Sequence, residues 1–163
     1  MISEQTRQRM RDLAARYPVA RSAVMPALSI AQQEEGYVSH EALQAVAEAI
    51  GMLVDDVESI ATFYTMYYRQ PPGKKVIRVC TSISCYLRNC DALVGHLESR
   101  LGIKRGETSA DGTYTLLTAE CLASCSTAPV LQVNDEFVER VTLDMADALI
   151  DKWKKESEHL CQN

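Results

Sequence analysis

Lys75-Val76-Ile77-Arg78-Val79 runs into Cys80-Thr81-Ser82-Ile83-Ser84-Cys85, and further on Tyr114-Thr115-Leu116-Leu117-Thr118 leads to Cys121-Leu122-Ala123-Ser124-Cys125. Each cysteine pair follows a short apolar run rich in β-branched residues, the pattern of a strand. Four residues separate the first two thiols and three separate the second two. A thiolate is a soft ligand, and four of them make a tetrahedral sulfur cage suited to an iron–sulfur cluster or to zinc. Short spacing lets one loop present two sulfurs to one site, so ordering entropy is lost once per loop. The stretch reads as a metal site with Cys80, Cys85, Cys121 and Cys125 as candidate ligands, and the rest of the chain as its housing.

Outward from these loops the elements alternate. A helix is expected from Cys85 to about Arg100, with Cys90, Leu93, Val94, Leu97 and Leu101 on one face and Gly102 just past its end. Asp111-Gly112 is a turn before the second strand. Val130 to Val133 and Glu136 to Glu139 flank Asn134-Asp135 as a hairpin with a two-residue turn. Thr142 is placed to cap a last helix whose buried stripe is Ala146, Leu149, Ile150 and Trp153. Strand, helix, strand, hairpin and closing helix match a thioredoxin-like α/β layer, a four-stranded sheet flanked by helices, over residues 74–163.

Upstream, Gln70-Pro71-Pro72-Gly73 is the clearest punctuation in the chain and sets the boundary of an all-helical, bundle-like segment over residues 1–70. Four helices are expected there: Ser3 to Arg16, Arg21 to Glu35 with Ser22 as N-cap, a third capped by Ser39 and ended by Gly51, and a fourth opened by an Asp55/Glu58 capping box. Gly36 stops the second. Val57, Ile60, Ala61 and Tyr64 make the fourth helix's apolar stripe. The aromatic run Phe63-Tyr64-Thr65-Met66-Tyr67-Tyr68 is expected to pack at a helix end against the next domain, an exposed partner-binding patch being the alternative. His40, beside an N-cap, reads as a solvated surface residue.

The whole chain has 163 residues, 47% hydrophobic and 24% charged, with a net charge of −5. That is an ordinary globular composition. The acidic excess and the lack of a Lys/Arg cluster argue against nucleic acid or an anionic membrane surface as partner. The polar start, Met1 to Arg7, and the want of a long apolar run predict a cytoplasmic chain without direct membrane insertion. In a reducing compartment six clustered cysteines point to metal or catalysis rather than disulfides.

Thiol exchange uses two thiols two residues apart, a spacing neither pair has, which weighs against a stand-alone dithiol enzyme. A zinc-stapled interaction module remains a rival from the spacing alone. Two features favour a [2Fe–2S] cluster: the chain has a core of its own, and small hydroxyl-rich loops (Thr81, Ser82, Ser84, Ser124, Ser126, Thr127) bring backbone N–H groups near sulfur. Cys90 falls on the leucine stripe and reads as a buried apolar thiol. Cys161 lies in a polar tail and is expected to take no part.

Cys-x4-Cys after a Val-Ile-Arg-Val strand, then Cys121-Leu122-x-x-Cys125-x-x-Ala128-Pro129, resembles the thioredoxin-like [2Fe–2S] ferredoxins. With Gly36-Tyr37-Val38, Val57 and Ala61-Thr62-Phe63-Tyr64, the likeness extends over nearly the full length to the ferredoxin subunits of NADH:quinone oxidoreductase (respiratory complex I). Relatives in NAD-linked hydrogenases and formate dehydrogenases look similar. The resemblance implies that Cys80, Cys85, Cys121 and Cys125 ligate one cluster. It also implies a partner subunit that binds FMN and NADH, with single electrons passing between flavin and cluster. No catalytic residues of the chain's own are implied, and a peripheral cytoplasmic place in a larger complex is. Nothing in the sequence resembles a Gly-x-Gly-x-x-Gly nucleotide turn. One departure stands out: the family's usual glycine two residues before the last cysteine is Ala123 here, which strains the loop if that position takes positive φ. Glu120, next to Cys121, is a charge that lowers a cluster's potential.

Overall fold

The computed structural model describes residues 1–160, with side chains to residue 156. Strand β1, Lys75–Cys80, is buried except at Lys75 and Arg78. A strand this continuously apolar belongs in the middle of a sheet. It lies between β2, Tyr114–Ala119, and β3, Leu131–Val133, with β4, Glu136–Val138, outside β3. β1 and β2 run parallel, from Lys75 opposite Tyr114 to Cys80 opposite Ala119. β3 is antiparallel to β1 and to β4, giving the four-stranded mixed sheet expected of a thioredoxin-like layer.

Three local devices fix this register. Asn134 takes the left-handed conformation, φ 53°, in the hairpin turn, where Asn is among the few side chains tolerated. Its side chain accepts from the Val76 N–H at 2.9 Å and donates to the Lys74 carbonyl at 3.2 Å, locking the hairpin onto β1. At Gly73 the N–H donates to Thr115 Oγ1 at 2.6 Å, and a Cβ there would stand 2.6 Å from the Tyr114 carbonyl carbon. Only glycine admits that approach. Beyond β2, Leu116 donates to Glu107 O at 3.1 Å and accepts from the Gly106 N–H at 2.6 Å, while Ser109 donates to Tyr114 O at 2.8 Å. Residues 106–109 thus cover the far side of β2, a pairing the strand pattern did not announce.

The helix expected from Cys85 to Arg100 is two helices. A short α5, Ile83–Tyr86, stops before Asn89, whose φ of 64° breaks the run, and α6 spans Cys90–Leu101. A left-handed residue cannot lie inside a right-handed helix, so the periodicity holds only from Cys90. Cys90, Leu93, Val94 and Leu97 are buried as read. Last comes α7, Leu143–Leu160, with Thr142 Oγ1 accepting from the Met145 N–H at 3.2 Å. Its Ala146, Ile150 and Trp153 are buried and Leu149 is half-buried. α6 packs on β1, β2 and α7, and His96 and Arg100 each reach Asp147 at 2.8 Å.

The chain divides into two compact units, Met1–Pro72 and the part from Gly73 onward. The first holds α1 Glu4–Ala14, α2 Val24–Glu35, α3 His40–Ile50 and α4 Val54–Phe63. α3 packs against the other three. Ser3 and Ser39 cap α1 and α3, accepting from Thr6 and Ala42 N–H groups, and Gly36 and Gly51 close α2 and α3 in the left-handed conformation. Two expected caps are absent. Ser22 lies in a 3-10 turn, Ala20–Ala23, and α2 starts after Ala23. Asp55 sits inside the first turn of α4, whose N-cap is Leu53, so the carboxylate complements the helix dipole and caps nothing.

The aromatic run splits. Tyr67 is buried in its own helical unit with its hydroxyl donating to Met25 O at 2.8 Å, whereas Phe63, Tyr64 and Met66 are exposed. Packing of the whole run is therefore corrected: Tyr67 is buried and Tyr68 half-buried, and the rest is exposed. The following segment returns to α2 and Val38: Tyr68 N–H donates to Gln32 Oε1 at 2.7 Å, and Arg69 reaches both Val38 O at 2.6 Å and Glu58 at 2.7 Å.

Candidate metal centre

β1 and β2 deliver their cysteines to the same end of the sheet because they are parallel neighbours. Cys80 is the last residue of β1; its N–H donates to Val130 O at 3.1 Å. Opposite it is Ala119, two residues before Cys121. Thr81 then holds the two loops together, its N–H and hydroxyl both donating to Ala119 O, at 2.9 and 3.2 Å. This hydroxyl serves the backbone rather than sulfur.

Cys85 sits in α5 and is buried, as is Cys80. Burial first, and then the hydrogen bond shared with the neighbouring Cys80, push the Cys85 thiol up to about 11. Cys90, wholly buried at the start of α6, is also raised, by burial first and then by Asp91 and Cys80. These are the properties of protonated thiols; a metal must displace the proton, and burial makes a lone thiolate costly there.

Cys121 and Cys125 are exposed. Between them Ala123 adopts φ 56°, the strained conformation its departure from glycine foretold, and its N–H donates to Cys121 Sγ at 3.3 Å. A 3-10 turn, Cys125–Thr127, follows. Ser124 Oγ lies 2.7 Å from both Thr127 Oγ1 and Glu139 Oε1. Those hydroxyls, Ser124 foremost, hold the Glu139 carboxyl below the usual range.

The structure brings Cys80 and Cys85 into contact with Cys90 beside them. Among the described residues no three His, Cys, Asp or Glu side chains are grouped closely enough to hold a single metal ion. The donor set nonetheless fits an iron–sulfur cluster: two soft donors on each of two loops joined at one sheet end, with a backbone N–H already turned to a sulfur. His40 is exposed on α3, its ring 3.1 Å from the Gln44 side chain. Cys161 lies outside the described residues. Sequence reasoning missed Glu139, for which no local motif gives a signal.

Comparison with known proteins places these observations in a family. The profile described as thioredoxin-like [2Fe–2S] ferredoxin matches residues 10–154. A subunit of the NADH-quinone oxidoreductase of Rhizobium meliloti is 43% identical over 91% of this chain and 88% of its own length. The corresponding NADH-quinone oxidoreductase subunit of Pseudomonas aeruginosa is 40% identical, covering 83% and 82%. NADH-quinone oxidoreductase subunit 2 of Thermus thermophilus is 42% identical, covering 83% and 77%. Among solved structures, the crystal structure of an air-oxidised NAD+-reducing [NiFe]-hydrogenase superposes with a TM-score of 0.71 at 22% identity. That match covers 79% of this chain and 23% of the hydrogenase chain, and it shows a shared fold. No described helix is long and apolar enough to cross a membrane.

Proposed function

The chain belongs to the thioredoxin-like [2Fe–2S] ferredoxins, and from that premise we propose that it is the electron-carrying subunit of an NADH-quinone oxidoreductase. In this reading Cys80, Cys85, Cys121 and Cys125 hold one cluster, and single electrons pass to or from the flavin of an NADH-binding partner subunit. The observation that carries it is the parallel pairing of β1 with β2, which ends with Cys80 opposite Ala119 and starts both cysteine loops from one end of the sheet.

When bound, a [2Fe–2S] cluster supplies one-electron redox chemistry. The chain's own residues set the conditions for it. Burial of Cys80 and Cys85 excludes water from one side, while exposed Cys121 and Cys125 keep the other side near the surface. The Ala123 N–H offers sulfur a hydrogen bond, which favours the reduced state, and the exposed Glu120 carboxylate opposes it. NADH gives up two electrons as hydride, so a flavin must stand between it and this chain. FMN and NADH accordingly belong to the partner, and the chain works as a peripheral cytoplasmic component without catalytic residues of its own. The same assignment would serve a ferredoxin subunit of an NAD-linked hydrogenase or formate dehydrogenase.

The test is metal and sulfide analysis of the anaerobically purified chain, followed by mixing with NADH. About two irons and two sulfides per chain, an electron paramagnetic resonance signal on dithionite reduction, and no bleaching by NADH until flavoprotein is added are expected. Stoichiometric zinc without iron, or prompt bleaching by NADH alone, would overturn the reading.

A further inference from the structure

Glu139 lies just past β4, far in sequence from either cysteine loop, yet it is bonded to the loop that carries Cys121 and Cys125. Its Oε1 accepts from Ser124 Oγ at 2.7 Å. Ser124 in turn shares a hydrogen bond of 2.7 Å with Thr127 Oγ1, and Thr127 Oγ1 also donates to Ser124 O at 3.1 Å. The backbone closes the same ring from the other side: Arg140 N–H donates to Thr127 O at 2.8 Å and Val141 N–H to Pro129 O at 2.9 Å.

Two residues in this ring are held at positive φ without being glycine, Ala123 at 56° and Arg140 at 50°. Such conformations persist only where the surroundings over-determine them. Ala123 is the residue whose N–H faces Cys121 Sγ. Apolar packing reaches the loop only through half-buried Leu122 and Ala128, while Cys121, Ala123, Cys125 and Ser126 are all exposed. Between those two anchors, the hydroxyl–carboxylate ring is the side-chain tie on the Ser124–Thr127 stretch.

We propose that Glu139 is a positioning residue for the Cys121–Cys125 half of the centre, acting through the Ser124 and Thr127 hydroxyls to hold Cys125 and the Ala123 N–H in place. This rests on the functional reading above for its purpose, though the ring exists whatever the loop binds. A carboxylate accepts without competing as a donor, so Glu139 accepts from the Ser124 hydroxyl and leaves Ser124 Oγ to accept from Thr127. The role is geometric. A neutral amide oxygen at the same place still accepts from Ser124, so the glutamine variant separates geometry from charge.

Three variants of the full chain, Glu139→Ala, Glu139→Gln and Ser124→Ala, are compared with the parent in two assays. In the reduced, metal-free chain, amide hydrogen exchange across residues 121–128 should quicken about twofold to fivefold in Glu139→Ala and Ser124→Ala, the range for an exposed charge-assisted contact. Glu139→Gln should exchange like the parent. After cluster reconstitution, the resonance line shape of the reduced centre should change in Glu139→Ala and return in Glu139→Gln. Unchanged exchange in Glu139→Ala would overturn the proposal. So would equal spectral changes in the alanine and glutamine variants, since these would assign the effect to charge. Failure of every chain, the parent included, to take up iron would sink the functional reading, and the exchange assay would still decide the ring.

Discussion

Replacing Gly73 by alanine should unfold the cysteine-bearing unit more readily than any surface change, for a reason readable in distances. A Cβ at this position would stand 2.6 Å from Tyr114 C, 2.8 Å from Tyr114 N and 3.0 Å from Thr113 C. All three are backbone atoms of the β2 segment, so no side chain can swing away, and the strands must part by the better part of an ångström. Forced overpacking of this kind costs about 1–3 kcal/mol. The same displacement stretches the contacts that start the parallel pair: Gly73 N–H to Thr115 Oγ1 at 2.6 Å, Lys75 N–H to Thr113 O at 2.9 Å and Lys74 N–H to Gly112 O at 3.1 Å. Each is worth about 1 kcal/mol net, and partial loss brings the total to about 2–3 kcal/mol. Trp153 is the chain's single tryptophan, buried with its ring 6.2 Å from that of Tyr114, so its fluorescence reports this unit alone. With a urea slope near 1 kcal/mol per molar for a unit of this size, the fluorescence midpoint should fall by about 2–3 M. Gly95→Ala is the control: nothing lies within 4 Å of a Cβ there, and the site is inside α6. It should gain about 0.5–1 kcal/mol from helix propensity. A Gly73→Ala chain that unfolds at the parent's midpoint would refute the close-approach argument.

Three further outcomes are expected. Alanine at Cys80, Cys85, Cys121 or Cys125 should each abolish or severely reduce iron content, whereas Cys90→Ala should keep it and cost about 1–2 kcal/mol as a small buried side chain; metal analysis and urea midpoints check both. Asp111 accepts from the Ser109 and Thr113 hydroxyls and the Thr113 N–H, which hold its carboxyl at about 2 against an ordinary 3.8. Its pKa is depressed on folding, so its contribution is complete above the ordinary value and is lost as pH falls towards 2; carbon-13 titration should show that midpoint, moved upward in Ser109→Ala. A chain beginning at Gly73 should fold alone with native Trp153 emission, and recovery of only insoluble protein would count against a separable unit.

The strands and the hairpin were legible because alternation and turn chemistry are local. β1, β2 and the Asn134-Asp135 turn stand where apolar runs and the turn dipeptide put them. Helix ends were legible where a side chain or a glycine makes the cap, as at Ser39 and Gly51, and misread at Ser22 and Asp55 because the N-caps of α2 and α4 are Ala23 and Leu53, with no side-chain cap bond. The break at Asn89 escaped because hydrophobic spacing ran through it, while the decisive quantity is a single dihedral. At the candidate centre, residue types and spacing were readable, and so was the strain awaiting Ala123. The tie from Glu139 to Ser124 was not, since it spans fifteen positions and depends on a turn whose course only the fold determines.

The covering of β2 by residues 106–109 bears on how the protein behaves in a crowded solution. A strand at the end of a sheet offers a row of unmatched amides and carbonyls, a template for pairing with another copy and so for aggregation. Here that row is occupied from within, through Gly106, Glu107 and Ser109, and the opposite border of the sheet is β4, only three residues long with Glu136 at its start. Shortness and charge are the common protections of such a border. Excising the covering turn would leave the ladder beside Leu116 without its partner, and a chain whose sheet is closed at that border would become one that recruits its neighbours strand by strand.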